Sequence, residues 1–122
     1  MRTRAQTWSS AAFQHVRAQK ADKSTVDKYR TCCRRMPGLI HTSGLLQALV
    51  FTVSRDDTGK AYVGHLARAY LGDEKATHET LITRAQSADV HAYMALARDI
   101  ADVAQWFNRF ARIELGGGDD GR

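Results

Sequence analysis

Apolar residues recur at helical spacing along nearly the whole of this chain. Trp8, Ala5, Ala12, Val16 and Phe13 fall within one arc of about 140° on a helical wheel, the width of a core-facing stripe, and predict a first helix over residues 3–20. Ala21-Asp22-Lys23-Ser24 breaks it, with Asp22 or Ser24 placed to cap the next helix. That second helix, over 24–35, has the cleanest pattern. Val26, Tyr29, Cys32, Cys33 and Met36 share an arc of roughly 120°, and Lys28, Arg30, Thr31, Arg34 and Arg35 fill the opposite side, diluted by Asp27.

Met36-Pro37-Gly38 is expected to stop this helix, because the residue before a proline avoids the α region. Pro37 then opens a third helix running to Val53. Leu39, Ile40, Leu45, Leu46, Ala48, Leu49, Val50, Phe51 and Val53 cover most of its circumference, the pattern of a helix at the buried centre of a bundle. Gly44 inside it predicts close approach of another backbone. Ser54 to Gly59 reads as a polar, exposed loop. A fourth helix over 60–71 carries Tyr62, Val63, Leu66, Ala69 and Tyr70, and Gly72-Asp73-Glu74 ends it. A short fifth helix over 77–87 contributes Leu81, Ile82 and Ala85. Asp89 caps the last helix, 90–114, whose two apolar stripes predict packing on both sides. The expectation is an all-α, single-domain bundle of five to six helices over residues 1–115, with 116–122 a flexible Gly/Asp-rich tail.

Size and composition agree. A chain of 122 residues with one proline can bury a core of its own, and so few turn-formers over this length argue against a sandwich or barrel. Charge changes the picture more. Residues 1–35 hold nine Lys/Arg against two Asp, a surplus of seven, whereas the rest of the chain carries nine basic and eleven acidic residues. A basic pole on a near-neutral body is the footprint of a polyanion partner, or of a charged solvated face. Arg30 and Arg34, four apart, repel each other unless an anion compensates them, so the cluster is expected to point outward to a partner. The two cysteines are adjacent and form no disulfide framework, and no signal-peptide pattern opens the chain. A cytoplasmic protein without a membrane segment is the expectation.

Catalytic constellations are not found. His15, His41, His65, His78 and His91 have no ligand spacing, and His78-Glu79 lacks the second histidine of a zinc-protease motif. Asp99 and Asp102 lie three apart, an arrangement that more commonly serves ion pairing than a metal. No glycine-rich phosphate loop follows a strand. Neither a cofactor, a metal nor a small-molecule substrate is expected, and the chain reads as no enzyme. His65 to Gln86 has the outline of a helix-turn-helix, yet its second helix offers only Arg84 for reading bases, which leaves a DNA-binding regulator as the alternative. A purely structural interaction module is the other.

Tyr29, then Met36-Pro37-Gly38-Leu39-Ile40 and Gly44-Leu45-Leu46-Gln47-Ala48-Leu49-Val50-Phe51, then Tyr93, Asp99 and Trp106-Phe107-Asn108-Arg109-Phe110-Ala111 follow one another in order. Together they resemble the helical small subunit family of the type III-B CRISPR effector, the Cmr complex, over residues 5–113. Asp99 stands where that family shows Glu, and Phe107-Asn108 where it shows Leu-Lys, which weakens an RNA contact by the last helix. The resemblance implies a non-catalytic subunit that stacks with copies of itself in a minor filament, contacts other Cmr subunits, and helps seat the guide RNA–target RNA duplex. Such a duplex is read through its shape and backbone. The candidate RNA-binding residues are Arg17, Lys20, Lys23, Lys28, Arg30, Arg34 and Arg35, with Arg109 and Arg112 on the last helix.

Overall fold

A computed structural model describes residues 2–21 and 23–116, with Ala21 and Lys23 described by their backbone alone. Among the described residues there are six α-helices and no strand: α1 (Arg4–Ala18), α2 (Lys23–Ser43), α3 (Leu45–Arg55), α4 (Asp57–Leu71), α5 (His78–Ser87) and α6 (Val90–Glu114). A single 3-10 turn, Gln19–Ala21, follows α1. The expected caps of Asp22 and the tail from Gly117 onward lie outside the described residues.

Local sequence sets most of the boundaries. Thr3 and Gln6 form a capping box at α1, and Thr77 and Thr80 form another at α5. The Asp89 carboxylate accepts from the Ala92 N–H at 2.8 Å and starts α6 where the pattern predicts. Gly72, at φ 65°, closes α4 in the left-handed conformation that glycine adopts without penalty.

Three expectations are overturned. Pro37 does not stop the second helix, which runs on to Ser43. A proline inside a helix costs about 3 kcal/mol, since it has no N–H for the carbonyl one turn back. Continuing the helix keeps one apolar stripe intact, because Tyr29, Cys33 and Met36 before the proline and Ile40 after it are all buried. The burial of Ile40, worth about 1.5–3 kcal/mol, together with the partly buried Leu39, offsets the lost bond. The break falls instead at Gly44, whose φ of 87° and ψ of 159° belong to a region reserved for glycine. Two residues on, the Leu46 N–H donates to the Tyr93 hydroxyl at 2.9 Å.

Ser54 to Gly59 is likewise no exposed loop. Asp56 alone joins α3 to α4 and caps α4 through the Gly59 N–H at 2.8 Å. Gly59 is buried inside α4, where a Cβ would lie 2.0 Å from the Thr52 carbonyl oxygen. The third correction concerns the centre of the bundle. α3 leaves Val50 and Phe51 exposed, whereas α4 touches all five other α-helices and buries Tyr62, Val63, Leu66, Ala67 and Ala69.

Around α4 the core is organised by rings. Tyr62 meets Tyr29 of α2 and Phe107 of α6 edge-on, at 5.5 and 5.7 Å. His65 stacks on His15 of α1 at 4.6 Å, and His15 faces Phe107 at 6.2 Å. Tyr29 also lies 5.6 Å from His65, so five rings from four helices close a circuit. Aromatic pairs of this kind add about 0.5–1.5 kcal/mol each beyond burial.

Candidate nucleic-acid interface

The structure divides the expected basic face into separate sets. On α2, the buried stripe of Tyr29, Cys33, Met36 and Ile40 has cations on both flanks. At 100° per residue, Arg30 and Arg34 lie on one flank and Lys28 and Arg35 on the other, roughly 130° apart. Arg30 is mostly covered and pairs with Asp27 of its own helix at 3.1 Å. The compensating anion expected from a partner is thus supplied, for Arg30, by the preceding turn. Arg34, Lys28 and Arg35 are exposed.

A second set sits where α1 meets α6. Arg17 lies over Phe13 at 5.5 Å, Phe13 meets Phe110 edge-on at 5.3 Å, Phe110 stacks on Trp106 at 6.0 Å, and Arg109 covers Trp106 at 5.6 Å. Arg17 and Arg109, 92 positions apart in sequence, therefore end one row of rings. Such contacts are worth about 0.5–1 kcal/mol at exposed sites. Lys20 pairs with Glu114 at 3.5 Å, tying the turn after α1 to the last turn of α6. Arg112 is exposed in that same turn. Lys23 opens α2, and its side chain lies outside the described atoms.

One cation escaped the sequence reading. Arg55, at the end of α3, lies 5.7 Å from the Phe51 ring, and Arg35 of α2 reaches the same ring at 5.7 Å. The spacing of Phe51 and Arg55, four apart on one helix, was the available signal. Lys28, Thr31, Cys32, Arg35, Leu39, Phe51 and Arg55, with Asp27 and Asp56, line a depression of 130 Å³ between the two helices. Cys32 is a free thiol there, its pKa pushed up to about 11 by burial and then by the Asp56 carboxylate, so it is neutral at physiological pH. Cys33 is buried in the core, as its packing role predicts.

The acidic pair on α6 separates. Asp99 accepts from the Tyr70 hydroxyl at 3.2 Å and pairs with Arg4, whose guanidinium also covers Trp8 at 4.5 Å, whereas Asp102 is exposed. This network pins α1 to α4 and α6. Two histidines do converge, but as core rings. Burial, His15 and Arg68 push the pKa of His65 down to about 4, which keeps it neutral, and Tyr29 lies 2.8 Å from its Nδ1. Among the described residues, no group of three or more His, Cys, Asp or Glu is placed to hold a metal, and no helix is long and apolar enough to cross a membrane. On α5, the would-be recognition helix, the exposed face carries Glu79, Thr80, Thr83, Arg84, Gln86 and Ser87, a single cation against a single anion.

Comparisons with known proteins agree with the resemblance. The family model described as CRISPR-associated protein (Cas_Cmr5) matches residues 4–114. A protein of Thermus thermophilus, named CRISPR system Cmr subunit Cmr5, is 33% identical over 112 residues, covering 92% of this chain and 96% of that one. The crystal structure of a CRISPR-associated Cmr5 family protein from the same organism superposes with a TM-score of 0.85 at 34% identity, over 92% of this chain and 97% of the other. Shared fold, matched length and a match running from the first helix to the last make this chain a member of the Cmr5 family of CRISPR-associated proteins.

Proposed function

We propose that this chain is a non-catalytic small subunit of a Cmr-type CRISPR ribonucleoprotein in the cytoplasm, where its basic edges help seat the guide–target RNA duplex. The observation that carries the reading is family membership over the whole bundle, joined to a surplus of seven basic charges in the first 35 residues. The relative in Thermus thermophilus is named as a Cmr subunit. Residues 1–115 act as the folded unit, and Leu115, 9% exposed, is its last buried side chain among the described residues.

The duplex is held through phosphates by Arg17, Lys20, Lys23, Lys28, Arg34, Arg35, Arg109 and Arg112, with Arg30 partly occupied by Asp27. Contacts of this kind set affinity and its salt dependence and carry no sequence information. Copies stack head to tail through unlike surfaces. Val90 and Met94, 70% and 60% exposed, mark one end of α6, and Ile113, 70% exposed, marks the other about 35 Å away. Two different patches on one chain suit a heterologous, filament-forming contact.

The test is target-RNA binding by the reconstituted complex carrying Arg34→Glu and Arg35→Glu, measured across a salt series. Each lost phosphate contact is expected to flatten the slope of log K against log salt by about 0.7–0.9. A complex that assembles normally and binds target with unchanged affinity and slope refutes the duplex-seating role.

A further inference from the structure

The α2–α3 groove adds an exposed ring and a further cation, Arg55, to Lys28 and Arg35, which the duplex-seating role already uses. Its ridge, Phe51, is 44% exposed. Two guanidiniums, one from each helix, converge on that ring at 5.7 Å. Of the acidic residues that line the same depression, Asp27 pairs with Arg30 and Asp56 accepts from the Gly59 N–H, which leaves Lys28, Arg35 and Arg55 in surplus over them. Among the described residues, Lys28, Arg35 and Arg55 form no ion pair. Arg35 and Arg55 thus both lie over a ring that stays 44% exposed, and Lys28 lines the same depression.

At 130 Å³ the depression is well under the roughly 300 Å³ at which pockets for drug-sized ligands begin, so it accepts a single ring system. On the far side of Phe51 a second depression is lined by Leu39, Ser43, Gln47 and Ala48. It carries no charge but offers a hydroxyl and an amide, groups that hydrogen-bond base edges. An acidic peptide would find cations on one side of Phe51 and none to pair with its carboxylates on the other. A base on Phe51 places its flanking phosphates beside Arg35 and Arg55 and its neighbour beside Ser43 and Gln47.

We propose that Phe51, bracketed by Arg35 and Arg55 in the α2–α3 groove, is a stacking site for an unpaired nucleotide of single-stranded RNA. The inference rests on the reading of this chain as an RNA-binding subunit and adds a second mode to it. A duplex keeps its bases stacked inside and engages only the cations. An unpaired base reaches the ring, and base–aromatic stacking tolerates any sequence because every base has a π-face.

The test uses the full chain in fluorescence-anisotropy titrations with a labelled 12-nucleotide oligouridylate and, separately, a 12-base-pair RNA duplex. Phe51→Ala is expected to weaken oligouridylate binding about tenfold or more, leaving its salt slope and the duplex affinity unchanged. Arg55→Gln is expected to weaken it and flatten the slope by about 0.7, the loss of one phosphate contact on a single strand. Phe51→Trp retains binding, with its added indole fluorescence quenched by the base. Circular dichroism of each variant confirms that the bundle is intact. Oligouridylate affinity within twofold of wild type for Phe51→Ala overturns the proposal. So does wild-type protein that binds duplex without detectable oligouridylate binding, or Phe51-dependent binding of a Glu-rich 12-residue peptide in place of RNA. The duplex-seating role fails separately, through unaltered target binding and salt slope in a complex carrying Arg34→Glu alone, a residue outside the groove.

Discussion

Replacing Gly59 and Gly38 by alanine, one at a time, makes the same chemical change twice with opposite expected signs. In α4, a Cβ on Gly59 would sit 2.0 Å from the Thr52 carbonyl oxygen and 3.0 Å from its carbon, where ordinary contacts begin at 3.4 Å. The obstacle is the backbone of α3, so relief requires the two helices to part by more than an ångström. Overpacking of this kind costs about 1–3 kcal/mol, and a rigid backbone obstacle belongs at the upper end. Alanine recovers about 1 kcal/mol of helix propensity, which leaves a net loss of about 2 kcal/mol. For a chain of this size that lowers Tm by about 8 °C. Gly38 lies exposed in α2 with nothing within 4 Å of its would-be Cβ. There the propensity gain is unopposed, and alanine is expected to add about 0.5–1 kcal/mol, raising Tm by about 2–4 °C. Urea unfolding followed by circular dichroism at 222 nm reads both. A Gly59→Ala protein as stable as wild type would refute the close α3–α4 contact and restore the exposed loop that the polar run Ser54–Gly59 suggests.

Two further outcomes follow from the ring circuit in the core. The Tyr62 hydroxyl is fully buried with no hydrogen-bond partner among the described residues, so Tyr62→Phe is expected to raise stability by about 1 kcal/mol, read as a higher urea midpoint. A loss of that size would show that the hydroxyl is bonded. His65, its pKa held down to about 4 from an ordinary 6.5, is neutral in the folded state and protonated more readily when unfolded. The unfolded chain therefore binds the extra proton between these values, and stability present above pH 6.5 falls as the pH is lowered toward 4. A shift of this size corresponds to at most about 3 kcal/mol. His65→Gln, which keeps a partner for Tyr29, is expected to flatten the dependence of the urea midpoint between about pH 6.5 and 4.5; an unchanged profile would place the titration elsewhere.

Where helix ends depend on neighbours in the chain, the sequence is legible. Asp89 caps α6 because its carboxylate reaches an N–H three residues on, and that geometry is local. The stripes of α1, α4 and α6 are buried largely as their spacing predicts, with Trp8, Ala12 and Val16 inside and Ala5 at the surface. Local rules failed at Pro37 and at the α3–α4 junction, where a rule that is sound for an isolated segment was outweighed by packing. A proline that removes one hydrogen bond still lies inside a helix when the stripe on both sides of it is buried.

By itself the sequence determined an all-α bundle, five to six helices, the surplus of basic charge near the start, and the order of blocks that marks the family. These follow from periodicity, from counting charges and from the run of residues along the chain. The tertiary structure decided what lies beside what. Arg17 and Arg109 end one row of rings, and Arg35 and Arg55 share Phe51. His15 and His65, which have no ligand spacing in the sequence, stack as half-buried rings against the core. A helical wheel assigns an angle around one axis, whereas these encounters depend on how axes cross and which turns meet. Those are settled only when α4 is surrounded and every helix has found the face that buries its stripe.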